Sequence, residues 1–172
     1  MPNSAEKTFS PLRCKLSADA RFSPVDFAND QIWELTTDLT DPPALALQTT
    51  YGLRAYWMHL FPSFTDGQVT VTDPRAFADA PRLSTSLPAY VRVSFSPFPN
   101  FDVQMEVYVP GSRMICGKIR ITNSSPGLQN WRVAFNAVLN PLVRGQRMAA
   151  GVYGMNTVLQ GSTQDLAPVF YI

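Results

Sequence analysis

The chain has 172 residues, near the size of one domain, with 45% hydrophobic residues and a net charge of +1 from 14 basic and 13 acidic side chains. The cations are scattered singly, which excludes a phosphate-tracking surface, and nucleic acid is not an expected partner. No apolar run reaches the length of about 18 residues that a membrane helix needs, so no membrane is expected either.

Charged residues make up only 16%, against about 25% in an ordinary soluble domain, which suggests that another domain or subunit covers part of the surface. The opening residues lack a basic leader followed by an apolar stretch, so no secretion signal is expected. Cys14 and Cys116 lie far apart in sequence and read as two free thiols in a reducing compartment. The expected location is therefore cytoplasmic.

In chain order, residues 1–11 are polar and read as a flexible segment, and a single β-domain is expected over 12–172. Proline is abundant at 15 residues, no helical stripe persists, and β-branched and aromatic residues recur between turn signals. Short strands are predicted at Leu12–Leu16, Gln31–Leu35, Leu45–Thr50, Leu53–Phe61, Gln68–Thr72 and Tyr90–Phe95. The clearest strand is Phe101–Val109. Phe101, Val103, Met105, Val107 and Val109 fall on one face, and Asp102, Gln104, Glu106 and Tyr108 on the other. Met114–Thr122 alternates in the same way, and Cys116 within it reads as core. After the turn cluster Asn123–Gly127, Trp131–Leu139 alternates again. These three strands predict an antiparallel meander with one greasy face that a second layer must cover. Further strands are predicted at Asn156–Gln160 and Val169–Ile172. A continuation past Ile172 would explain an ending on so apolar a strand. The fold class is all-β, an antiparallel β-sandwich.

Candidate chemistry is sparse. Asp102 and Glu106 are the most suggestive carboxylates, but four positions along a strand span about 13 Å. The paired carboxylates of glycosidases stand roughly 5–9.5 Å apart, so these two read mainly as a solvated polar face. The segment Asn29-Asp30-Gln31-Ile32-Trp33-Glu34-Leu35 joins amides, carboxylates and an indole, the kit of a ligand-facing loop; its bland reading is a strand whose Trp33 and Leu35 anchor the core. His59, the single histidine, sits among apolar groups beside Trp57 and reads first as ordinary packing. A metal site needs several ligands and no second histidine exists, so no metal is expected. The glycines form no phosphate loop, so no nucleotide cofactor is expected. Asn123-Ser124-Ser125 matches a glycosylation acceptor but reads as a turn.

The segments Phe27–Leu35, Ala44–Arg54, Leu60–Phe64, Phe95–Pro99 and Gly117–Ser125 carry a resemblance. Together they resemble the N-terminal β-sandwich domains of bacterial glycoside hydrolases with (α/α)6 barrels, the glycogen-debranching-like group. That resemblance implies a supersandwich-like fold, incomplete at its C-terminus in a chain of this length. It implies a catalytic (α/α)6 domain as partner, in the same parent chain or separately, with the catalytic acid and base on that barrel. No catalytic residue carries over to this chain. Asn29, Asp30 and Trp33 become candidates for a loop at the rim of the substrate entrance.

The leading expectation is a non-catalytic scaffold and substrate-entrance domain of a glycoside hydrolase acting on oligo- or polysaccharides. The first alternative is a free-standing carbohydrate-binding module, with Trp33, Trp57, His59 and Tyr90 as contact candidates. The second is a structural β-sandwich whose bare surface serves a homo-oligomer interface.

Overall fold

A computed structural model describes residues 9–17, 33–38, 40–49, 57–111, 114–140, 145–163 and 167–172. The chain is all-β, and every strand pair among these residues is antiparallel. The strands are β1 (Arg13–Leu16), β2 (Trp33–Thr36), β3 (Ala46–Thr49), β4 (Trp57–Asp66), β5 (Val69–Val71), β6 (Asp79–Leu87) and β7 (Tyr90–Ser96). They continue with β8 (Phe101–Gly111), β9 (Met114–Asn123), β10 (Trp131–Asn140), β11 (Gln146–Tyr153), β12 (Asn156–Ser162) and β13 (Val169–Tyr171). One 3-10 turn, Pro74–Ala76, lies between β5 and β6.

Two sheets make the sandwich. One runs β1-β2-β3-β4-β10 with β5 folded back on β4; the other runs β6-β7-β8-β9. A third, small sheet is β11-β12-β13. Gly67 and Gly154 open the two-residue turns of the β4–β5 and β11–β12 hairpins with φ of +59° and +63°, a conformation that a Cβ would strain.

The alternation in β8 drives the packing. Phe101, Val103, Met105, Val107 and Val109 are all buried, while Asp102 and Tyr108 on the opposite face are exposed. Leu16, Leu35, Leu47, Met58, Phe64 and Leu139 of the first sheet meet that row and Val91, Val93 and Phe95 of β7. Phe64 stands at the centre, edge-on to Phe77, Phe95 and Phe101 at ring separations of 6.0, 5.6 and 5.8 Å.

The predicted three-strand meander is corrected in one respect. β8 pairs β9, but β10 does not pair β9; it crosses to the other sheet and pairs β4 from Trp131↔Asp66 to Asn140↔Trp57. The greasy faces of β8 and β10 therefore oppose each other across the core instead of sharing one layer. The Trp131 ring stacks on Phe101 at 4.1 Å with planes 2° apart. Cys116 is also corrected. It shares a face with Lys118 and Arg120, opposite Tyr108, and is exposed, not core. Both described cysteines are free thiols.

Candidate functional site

The polar groups of this chain come together on the outer face of the β6–β9 sheet. Register sets two rows across the four strands. Arg82, Ser94, Gln104 and Arg120 are aligned in one row. Asp79, Ser96, Asp102 and Thr122 form the next, two residues along each central strand. All eight side chains line one open groove of about 510 Å³. Its two central strands, β7 and β8, carry core residues on their other face, so the middle of the platform is rigid.

Asp102 is the best-anchored acid in the groove. Ser96 Oγ donates to one carboxylate oxygen at 2.8 Å, and the Ser124 hydroxyl donates to the other. These hydroxyls, Ser124 first and Ser96 second, hold the Asp102 carboxyl below its ordinary value against a small opposing effect of burial. Ser124 is in place because the Asn123 side chain builds the turn. Its oxygen accepts from Ser125 N at 2.9 Å, and its amide donates to Gly127 O at 2.7 Å. The turn reading of Asn123–Ser125 therefore holds.

One step further along the sheet, Glu106 faces Arg92 at 3.5 Å. Arg92 Nε also donates to the Tyr90 hydroxyl at 3.0 Å, and its guanidinium lies 5.8 Å from the centre of the Tyr90 ring. Asp102 and Glu106 thus have separate partners and do not converge. Among the described residues, no three His, Cys, Asp or Glu side chains gather to hold a metal ion.

Of the rim and carbohydrate-contact candidates, none that is described lines this groove. Asn29 and Asp30 are outside the described residues. Trp57 begins β4 opposite Asn140. Trp33 is 3% exposed and packs edge-on to Phe170 at 6.4 Å, the core anchor of its bland reading. Its indole nitrogen finds no acceptor among the described residues.

His59 is fully buried on the outer side of the other sheet, tilted against Phe61 at 5.3 Å. Burial lowers its pKa to about 4, and the charge of Asp41 opposes that shift. Gln48 and Val138 flank it in register. Gln48 donates to Glu34 at 2.8 Å, and Glu34 pairs with Arg13 at 3.3 Å. Neither the Trp33 nor the His59 ring reaches the surface.

Sequence reasoning flagged Asp102 but missed Asp79, Arg82, Ser94, Ser96, Arg120 and Thr122 as its companions. The alternation of β8 and β9 places Gln104, Arg120 and Thr122 on the polar side. Nothing local in the sequence aligns β6 with them.

No helix among the described residues is long and apolar enough to cross a membrane. No protein-family model, curated protein or solved structure matches the chain.

Proposed function

We propose that this chain is a non-catalytic β-sandwich domain that contacts carbohydrate, and that it works as the scaffold and substrate-entrance domain of a glycoside hydrolase acting on oligo- or polysaccharides. The groove on the β6–β9 sheet carries the reading. It offers carboxylate acceptors, guanidinium donors, hydroxyls and an amide on a flat, rigid platform, the mixture that a polyhydroxylated ligand satisfies. Tyr108, exposed on the same face, adds an apolar ring surface beyond the charged rows.

Catalysis is assigned to a partner (α/α)6 domain, in the same chain or separate. Asp102 and Glu106 are spaced by about 13 Å along one strand, too far for a glycosidase pair. The free thiols Cys14 and Cys116 accord with a cytoplasmic location.

The test is a titration of the chain with a panel of neutral and charged oligosaccharides, followed by amide chemical shifts, beside a turnover assay on the same panel. Shifts confined to β6–β9 without turnover are expected. Turnover by this chain, or glycan-induced shifts mapping only to the opposite sheet, would overturn the assignment.

A further inference from the structure

The two rows of the groove differ in sign, and that difference points to a ligand class. We infer that the groove takes an acidic oligosaccharide of uronate units, with their carboxylates on the Arg82–Arg120 row and their hydroxyls on the Asp79–Asp102 row. The inference rests on the carbohydrate-contact reading and narrows it.

Three observations carry it. First, Arg82 and Arg120 bracket the row whose centre is Ser94 and Gln104. The ion pairs found among the described residues use Arg13, Arg75 and Arg92 as cations, and neither Arg82 nor Arg120 is neutralised in this way. Two exposed guanidiniums at the ends of a polar row are suited to a carboxylate, which each can grip through paired N–H donors.

Second, the acidic row is already committed to accepting hydrogen bonds. The hydroxyls of Ser96 and Ser124 keep Asp102 ionised, and an ionised carboxylate only accepts. It therefore seeks hydroxyl donors and repels a second anion. A phosphate, with its greater charge, would be driven off this row. A single carboxylate that keeps to the arginine row would not.

Third, the spacing fits. Rows two residues apart on a strand are separated by about 6.8 Å. A pyranose ring is about 5 Å across, so a uronate holding its carboxylate on one row presents its ring hydroxyls to the next through ordinary hydrogen-bond lengths. A neutral hexose would satisfy the acidic row and leave both guanidiniums without a counter-ion.

The experiment titrates the whole chain with trigalacturonate, with the same trisaccharide methyl-esterified at its carboxyls, and with maltotriose, at low salt and again at high salt. Amide shifts of Ser94, Gln104 and Arg120 are the readout, beside calorimetric affinity. Trigalacturonate is expected to bind at least tenfold more tightly than either neutral ligand and to weaken as salt rises. Arg82→Gln and Arg120→Gln should each remove part of that preference, and the double variant most of it, while leaving the thermal midpoint unchanged, since both side chains are exposed. The esterified ligand makes the comparison independent of any variant. Equal binding of charged and uncharged trisaccharides in the groove overturns the acidic preference and leaves the carbohydrate contact standing. Silence of β6–β9 towards all three ligands overturns both.

Discussion

His59 shows how one buried side chain makes the fold sensitive to acid. Its ring is fully buried and its pKa falls from 6.5 to about 4 in the folded chain. The unfolded chain therefore binds a proton on this group between those two values and the folded chain does not. The stability that the neutral ring contributes is fully present above pH 6.5 and is lost as pH falls towards 4. A loss of roughly 3 kcal/mol over that window is expected. The carboxylates of Asp73 and Asp102, held low by hydrogen bonds, act in a different window: their contribution is present above the ordinary carboxylate pKa and fades only below it. Thermal midpoints measured from pH 7.5 to 4 should fall for the parent chain and stay flatter for His59→Gln. Parallel profiles would remove His59 as the cause. Phe64 makes a second prediction at this scale. It is fully buried and touches three other rings, so Phe64→Ala should cost about 3–5 kcal/mol in denaturant unfolding. A cost below 1 kcal/mol would mean that the aromatic centre collapses to fill the gap.

At the scale of the element, β10 decides whether two sheets close over one core. Its pairing with β4 is long and regular, and its Trp131 ring lies flat on Phe101 of the opposite sheet. Trp131→Ala removes the side chain that joins β10 to β8 where both strands begin. The ring is only half-buried, so the expected cost is about 2 kcal/mol. Amide exchange should then accelerate in β10 before β7 or β8; uniform acceleration would show that the stack holds no local unit. The legibility of these elements follows the same physics. β8, β9 and β10 show in the sequence because apolar and polar residues alternate along each with period 2, although only β8 buries its apolar face fully. β6 left no such trace: its residues are mostly polar or small, Pro81 interrupts it, and its pairing with β7 shifts register twice. β11 is similarly hidden by Ala149, Ala150 and Gly151, which carry little alternation. The partner of β10 was also invisible, because alternation gives the face of a strand and not the sheet that it joins. The groove shares that fate. Asp102 stands out on its own strand, but Arg82 reaches its row only through a bulged pairing that no local pattern specifies.

For the whole molecule, the important asymmetry is between the two sides of the sandwich. β10 ends one sheet and β9 ends the other, and each is paired on one side only among the described residues. The Phe101–Trp131 stack places β10 across from β8, so both unpaired edges lie on the same side. The inner faces there are incompletely covered. Ile115, Ile119, Val133 and Phe135 are half-buried, and Ile121 is 40% exposed. Unpaired edges with apolar neighbours recruit further strands or a packed layer, and a chain with only 16% charged residues has few groups with which to repel them. Light scattering should therefore find concentration-dependent association of this chain. Ile119→Lys and Ile121→Lys place charges beside that edge and should return it to a monomer without altering the Arg82–Arg120 groove, which lies on the opposite face of the sheet. A chain that stays monomeric at every concentration would show that β9 and β10 tolerate water as they stand, and the sandwich would then need no neighbour.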